Sequence, residues 1–318
     1  MTMHPLAEPL ERAILRKRQA GAPGRADSRI LASGAGWRVV DVICTSGPED
    51  RPFEERYWSV AISLVLSGAF VYRGKHAAVL MSKGAFLLGN AGQSYECSHQ
   101  HGEGDRCLSF QFAPEFFADV ARDAGAGGAF LGCDRVPPLR QTSPAVARAI
   151  AAIETADSFE EIALEVAGSV IEASAEITNE RRMTARESAK IVDALRYLDA
   201  NGQASCPLAR LSQAAGLSPY YFLRTFKSVT GITPHQWLMR ARLREAARRL
   251  AESREPITEL ALEAGFDDLS NFIRSFRAEF GMSPGNYRAI AQGGRAMPEL
   301  RGAPTGGGLR RSLSREPA

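Results

Sequence analysis

Arg224 and Arg274 stand in two nearly matching strings, FLRTFK (222–227) and FIRSFR (272–277), each with the arginine between two phenylalanines and a basic residue at the end. A guanidinium carries its N–H donors in a planar fork that fits a phosphate or the O6/N7 edge of guanine. The apolar residues recur at helical spacing: Phe222, Phe226 and Val229 in one string, Phe272, Phe276 and Phe280 in the other. One face of each predicted helix is therefore apolar, and the arginine lies on the opposite face. Tyr220, Tyr221 and Lys227 join Arg224 there, and Ser270, Asn271 and Arg277 join Arg274, while Ser218 and Leu269 stand where the two helices begin. These residues are the candidate nucleic-acid contacts. Arg224 and Arg274 are expected to read bases, with phosphate clamping, the commoner kind of contact, as the alternative.

A second group with chemical potential is YECSHQHGEGDRC (95–107). Alternate residues of a strand share a face, so His99 and His101 could converge with Glu103 or Asp105 on one metal ion. The carboxylate follows closely, however, and the next histidine along the helical part of the chain is His235. No metal and no other cofactor is therefore assigned, and His99, His101 and Glu103 stand as the ligands to test. Cys97 and Cys107 bracket the same turn and are either a redox pair or buried, inert thiols. The chain shows no Ser/His/Asp set, phosphate-cradling glycine loop or H-E-x-x-H helix, so no catalytic residue is named and an enzyme is not expected.

The elements that must position these residues divide the chain in two. Its 318 residues, 45% hydrophobic and 24% charged, suffice for two cores. Residues 1–35 are rich in Gly, Ala, Pro and Arg without periodicity and read as a flexible arm. From Trp37 to Phe112 come β-branched and aromatic runs separated by glycine turns, which predict closely spaced strands in a barrel or sandwich. Residues 144–178 carry apolar stripes at helical spacing (Val146, Ile150, Ile153; Ile162, Val166, Val170) that either pack on those strands or join two subunits. The expected units are thus a strand-rich domain over 36–178, a linker over 179–186, an all-helical domain over 187–290 and a disordered tail over 291–318. No apolar run is long enough for a membrane span, and the start lacks the apolar stretch of a signal peptide, so a cytoplasmic location is expected. The five cysteines are scattered without a C-x-x-C pair.

Charge is unevenly spread. Residues 1–186 carry 20 Lys and Arg against 23 Asp and Glu, whereas residues 187–290 carry 14 against 11. That modest excess would be weak evidence for a nucleic-acid partner by itself. The internal repeat is stronger. Gly216 and Gly265 each mark a tight turn after a short apolar helix, Leu217 and Phe266 fill the angle, and Gly231 and Gly281 close the two second helices. Two helix-turn-helix units are predicted, joined by one long helix, TPHQWLMRARLREAARRLAESRE, with Trp237, Ala241, Leu243, Ala247 and Leu250 facing the units and the arginines facing solvent or phosphate.

On these residues the helical part resembles the DNA-binding domain of AraC/XylS-type transcription regulators. The string EAGFDDLSNFIRSFRAEFGMSPGNYR carries the resemblance through Ala264, Gly265, Phe266, Phe272, Arg274, Phe276, Gly281, Pro284, Tyr287 and Arg288. The first copy carries it through Gly216, Ser218, Phe222, Arg224, Phe226, Lys227, Gly231 and Pro234. Asn271 departs from the family, where an aromatic residue is frequent. The resemblance implies an α+β two-domain protein: an N-terminal cupin-like β-barrel with helices, and a C-terminal all-α domain with two helix-turn-helix units joined by a long helix. It implies sequence-specific binding of double-stranded promoter DNA, activation more often than repression, RNA polymerase as a partner, an unidentified small-molecule effector and a homodimer. The rival expectation is a cupin-like metalloenzyme, or a metal or redox sensor, with an appended DNA-binding module.

Overall fold

The computed structural model describes residues 6–99, 102–126, 130–155, 159–177, 184–201 and 207–293. The strand-rich part holds β1 (Ala26–Gly34), β2 (Trp37–Cys44), β3 (Phe53–Arg56), β4 (Val60–Arg73), β5 (Ala78–Ser82), β6 (Phe86–Gly89), β7 (Ser94–Ser98), β8 (Asp105–Phe112) and β9 (Arg135–Val136). All pairings are antiparallel, and β4 is the spine. Its first half pairs with β8 and β6, and after a bulge between Val65 and Ser67 its second half pairs with β5 and β7. A bulge bends and twists a strand, so β4 passes from the layer β1-β2-β8-β4-β6-β9 into a second layer that adds β5, β7 and β3. Among the described strands the sheet does not close into a ring.

The residues expected to form a flexible arm are ordered from Leu6 onward. They make α1 (Glu8–Ala20) and β1, which runs antiparallel to β2 from Gly34 opposite Trp37 to Ala26 opposite Cys44. Leu6 and Leu10 are buried, and the guanidinium of Arg106, itself held by both oxygens of Asp41, donates to the Leu6 carbonyl. β1 lies at the edge of its layer with most side chains exposed, so it lacks the alternation that would mark it in the sequence.

Four helices follow or cover the strands. α2 (Pro114–Asp123), α3 (Ser143–Thr155) and α4 (Phe159–Ala175) share one core with β2, β4, β6 and β8; α1 lies outside it. Val146, Ile150, Ile162, Val166 and Val170 are all buried in that core. Of the two partners open to these stripes, the strands of their own chain occupy them. These five side chains are therefore not free for a second subunit.

The helical part runs α5 (Ala185–Asn201), α6 (Leu208–Ala214), α7 (Pro219–Thr230), α8 (Pro234–Glu252), α9 (Ile257–Glu263), α10 (Leu269–Phe280) and α11 (Pro284–Ala291). Local chemistry sets the starts. Ser218, Thr233, Asp268 and Ser283 each accept a backbone N–H in the first turn, and Thr233 forms a capping box with Gln236. Such caps contribute about 1 kcal/mol each. Two cores result: Phe222, Phe226, Val229 and Trp237 with α5 and α6, and Phe266, Phe272, Phe276 and Phe280 with α8 and α9. Each buried phenylalanine contributes roughly 1.5–3 kcal/mol through apolar area removed from water.

The two parts are packed against each other. Leu80 of β5 is buried in the first helical core, and Ala147 of α3 in the second. Arg135 donates to the carbonyls of Leu80 and Val229, Arg240 to that of Pro138, and Ser143 to the carboxylate of Glu279. The arginines of α8 therefore correct the sequence reading. Arg242 and Arg244 are buried rather than solvent-facing, because the strand-rich part and α9 cover that side of the helix. The tail expected to be disordered lies outside the described residues from 294 onward.

Candidate functional site

α7 and α10 hold matching places in their units. Each is the helix after a glycine turn, and each buries its phenylalanines while leaving the opposite side to solvent. On α7, Tyr220 and Tyr221 are 71% and 51% exposed, and Arg224 and Lys227 lie beside them on the open side. On α10, Ser270, Asn271, Arg274 and Arg277 are exposed. Each helix thus presents four exposed residues on a polar, cationic face. Ser218, also exposed, caps α7: its hydroxyl accepts the Tyr221 N–H at 3.4 Å. Asp268 does the same for α10, accepting the Asn271 N–H at 2.7 Å. Leu269 departs from expectation. It is half-buried against the cluster of Phe272 and Phe276.

α8 links the units, with Trp237 in the first core and Leu243, Ala246, Ala247 and Leu250 in the second. One continuous helix, buried at both ends, sets the spacing of the two cationic faces.

The strand-rich part holds a cavity of about 460 Å³, open to solvent and lined by residues of β1, β2, β3, β4, β6, β7 and β8, with Trp58 at 86% exposure among its walls. Strand register builds its inner face. Asp105 lies opposite Cys44, Cys107 opposite Val42 and Ser109 opposite Ser63, whose hydroxyl donates to that of Ser109 at 2.9 Å. Tyr57 and Tyr95 stack with ring centroids 4.2 Å apart. His99, one residue beyond β7, reaches in so that its Nε2 lies 2.6 Å from Asp105 Oδ1. Burial alone would lower the His99 pKa, but hydrogen bonds to Asp105 and Cys44, with their charges, push it up to about 10. Burial first, and the Asp105 charge after it, raise the Cys97 and Cys107 thiols well above their usual range, and both cysteines are free. Neither is an activated thiol, which supports the inert alternative over the redox pair.

Of the metal ligands expected from the sequence, His99 and Asp105 meet. Glu103 is turned to Arg18 of α1, and His101 lies outside the described residues. His99 and Asp105 are joined by Cys44, which comes from β2 and was not expected from the sequence. No spacing argument could have found Cys44, because its place beside Asp105 is set by the β2–β8 register.

Known proteins are similar to this chain chiefly in the helical part. The helix-turn-helix domain family matches residues 211–290. The probable transcriptional regulator LumQ of Photobacterium leiognathi is 39% identical over 92 residues, which are 29% of this chain and 37% of LumQ. The transposon Tn10 TetD protein of Escherichia coli is 36% identical over 98 residues, 31% of this chain and 71% of TetD. A solved transcriptional regulator with an AraC-type DNA-binding domain from Chromobacterium violaceum aligns at TM-score 0.32 and 24% identity, covering 34% of this chain and 96% of that one. The chain thus spans little more than a third of LumQ but most of TetD. Among the described residues no helix is long and apolar enough to cross a membrane. With two capped helix-turn-helix units on one linking helix and this extent of identity to TetD, the chain belongs to the AraC-type transcription regulators.

Proposed function

We propose that the protein is a sequence-specific regulator of transcription that lays α7 and α10 into successive major grooves on one face of promoter DNA. The observation that carries this reading is the pair of exposed cationic faces, Tyr220, Tyr221, Arg224 and Lys227 on one helix and Ser270, Asn271, Arg274 and Arg277 on the other, each backed by buried phenylalanines. Successive grooves on one face are about 34 Å apart, and α8 is the element that sets that reach. Arg224 and Arg274 are the base readers in this account. LumQ is described as a probable transcriptional regulator, which supports the same role here and favours a regulator over an enzyme.

Control enters through the strand-rich domain. Its 460 Å³ cavity is large enough for a small metabolite, and the contacts of Leu80, Arg135 and Ser143 with the helical part give a bound effector a route to α7 and α10. Activation through RNA polymerase is the role taken from the family. The geometry needs only one chain per pair of grooves, and a homodimer is compatible with it.

The test is binding of the full chain to duplexes from the promoters around its own gene. Arg224→Ala and Arg274→Ala are each expected to lose about 1–3 kcal/mol of discrimination at the base they read. A residue that only clamps phosphate would weaken all sequences alike and lower the salt dependence by about one ion. A wild-type chain with no preference for any such promoter over scrambled duplex would refute the reading.

A further inference from the structure

Cys44, His99 and Asp105 arrive from three separate segments and bring a thiol sulfur, a ring nitrogen and a carboxylate oxygen within 4.8 Å of one another. All three are buried, at 7%, 4% and 5% exposure, yet all three line the cavity. Cys107 Sγ lies 3.2 Å from Asp105 Oδ2 and stands behind the group. The promoter-reading helices make no use of this cluster.

We propose that Cys44, His99 and Asp105 bind a thiophilic divalent cation of the zinc class at the wall of the cavity. A tetrahedral zinc ion with bonds of about 2.0–2.3 Å holds its donor atoms roughly 3.2–3.8 Å apart. The trio, already within 4.8 Å, needs only small side-chain rotations to reach that spacing, with His99 and Asp105 separating from 2.6 Å. A thiolate and an imidazole beside one carboxylate disfavour magnesium and calcium, which take oxygen ligands in greater number. On binding, the thiol proton of Cys44 and the proton on the ligating nitrogen of His99 leave to solvent. The thiolate and the carboxylate then match the two charges of the ion, so the buried site is neutral.

Three protein ligands leave a fourth position on the cavity side, where water or a donor atom of the effector completes the coordination. The site also lies close to the domain junction. Gly102 and Glu103, just beyond His99, form one wall of a 120 Å³ crevice whose other wall is Leu195, Arg196 and Trp237 of the helical part. The cation would thus fix the segment that touches both the cavity and α5.

The experiment uses the full chain without DNA, so its outcome is independent of promoter binding. The protein is stripped with chelator, loaded with Zn²⁺ or Co²⁺ and desalted. Wild type is expected to retain about one equivalent per chain, and the Co²⁺ form to show near-ultraviolet thiolate-to-metal absorption. Cys44→Ser should abolish that absorption, and His99→Ala and Asp105→Asn should each cut retained metal about tenfold or more. His76→Ala, which removes a ring paired with Asp134 at 3.0 Å, should leave retention unchanged. A wild-type chain that retains no metal, or whose Co²⁺ form lacks the thiolate absorption, overturns the proposal without recourse to any variant. Equal retention by wild type and a folded Cys44→Ser also overturns it.

Discussion

The guanidinium of Arg135 donates to the backbone carbonyl of Val229 at 2.5 Å, tying β9 of the strand-rich domain to the last turn of α7. The same nitrogen reaches the Leu80 carbonyl at 3.0 Å, and Arg135 is only 5% exposed. Arg135→Ala leaves both carbonyls short of a donor in a buried place, which costs about 1–3 kcal/mol. The expected outcome is faster amide exchange in β5 and in the C-terminal half of α7, with the second helical unit unaffected. Exchange rates equal to wild type in both segments would show that the contact does not hold the domains.

Gly231 and Gly281 occupy equivalent turns, one after α7 and one after α10, with φ of 84° and 75°. Both positions favour glycine, so an alanine at either costs about 1 kcal/mol of backbone strain. Their surroundings differ. A Cβ on Gly231 would lie 2.5 Å from Cγ of Pro137 in the strand-rich domain, whereas one on Gly281 meets nothing within 4 Å. Gly281→Ala is therefore expected to lower stability by the strain alone. Gly231→Ala should cost more and should also push the first helical unit away from Pro137. Thermal melts of the two variants check the difference, and equal losses would place Pro137 outside the junction.

The helical domain was legible because its signals are local. Phenylalanines at i and i+4, a capping residue and a closing glycine all lie within one unit, and both copies fold as their periodicity predicts. The α8 arginines were not legible, because the surface that buries Arg244 includes Gly84, far away in the chain. The same limit hid α1 and β1, whose order depends on Asp41, Arg106 and the β2 edge rather than on their own pattern. At the cavity, His99 and Asp105 were visible as candidates, but Cys44 reaches Asp105 through strand register that no short-range spacing encodes.

Acid should loosen α1 before it unfolds the rest. Asp50 accepts from Lys17 Nζ at 2.7 Å and from the N–H groups of Gly24 and Gly47 at 2.7 and 2.8 Å. The Lys17 hydrogen bond is the main cause that holds the Asp50 carboxyl down at about 2, against a usual 3.8; burial opposes it and the two backbone bonds add to it. A depressed carboxylate stabilises the fold above its unfolded pKa and loses that contribution as pH falls through the folded value. The stability gap between wild type and Asp50→Asn is therefore expected to be constant above about pH 5 and to shrink as pH falls through the folded value of about 2. Denaturant titrations across that range measure it, and a gap independent of pH would assign the loss to packing instead.

Glu279 gives α10 a second role on the side away from Arg274. It is 6% exposed, accepts from the Ser143 hydroxyl, and lies 3.5 Å from Arg240 and 3.6 Å from Arg140. Its charge also offsets part of the burial that lowers the Arg244 pKa to about 10. Glu279→Gln keeps the shape but leaves Arg240 and Arg244 without that countercharge, a change that costs up to about 3–5 kcal/mol when a buried pair is broken. The weakened element is the junction, so the helical domain should be released while the α10 surface proposed to face DNA stays intact. The expected result is a lower melting temperature and an altered affinity for promoter DNA, with an unchanged ranking of single-base variants. A changed ranking would mean that Glu279 orients Arg274 directly and that α10 cannot be loosened from α3 without moving its reading face.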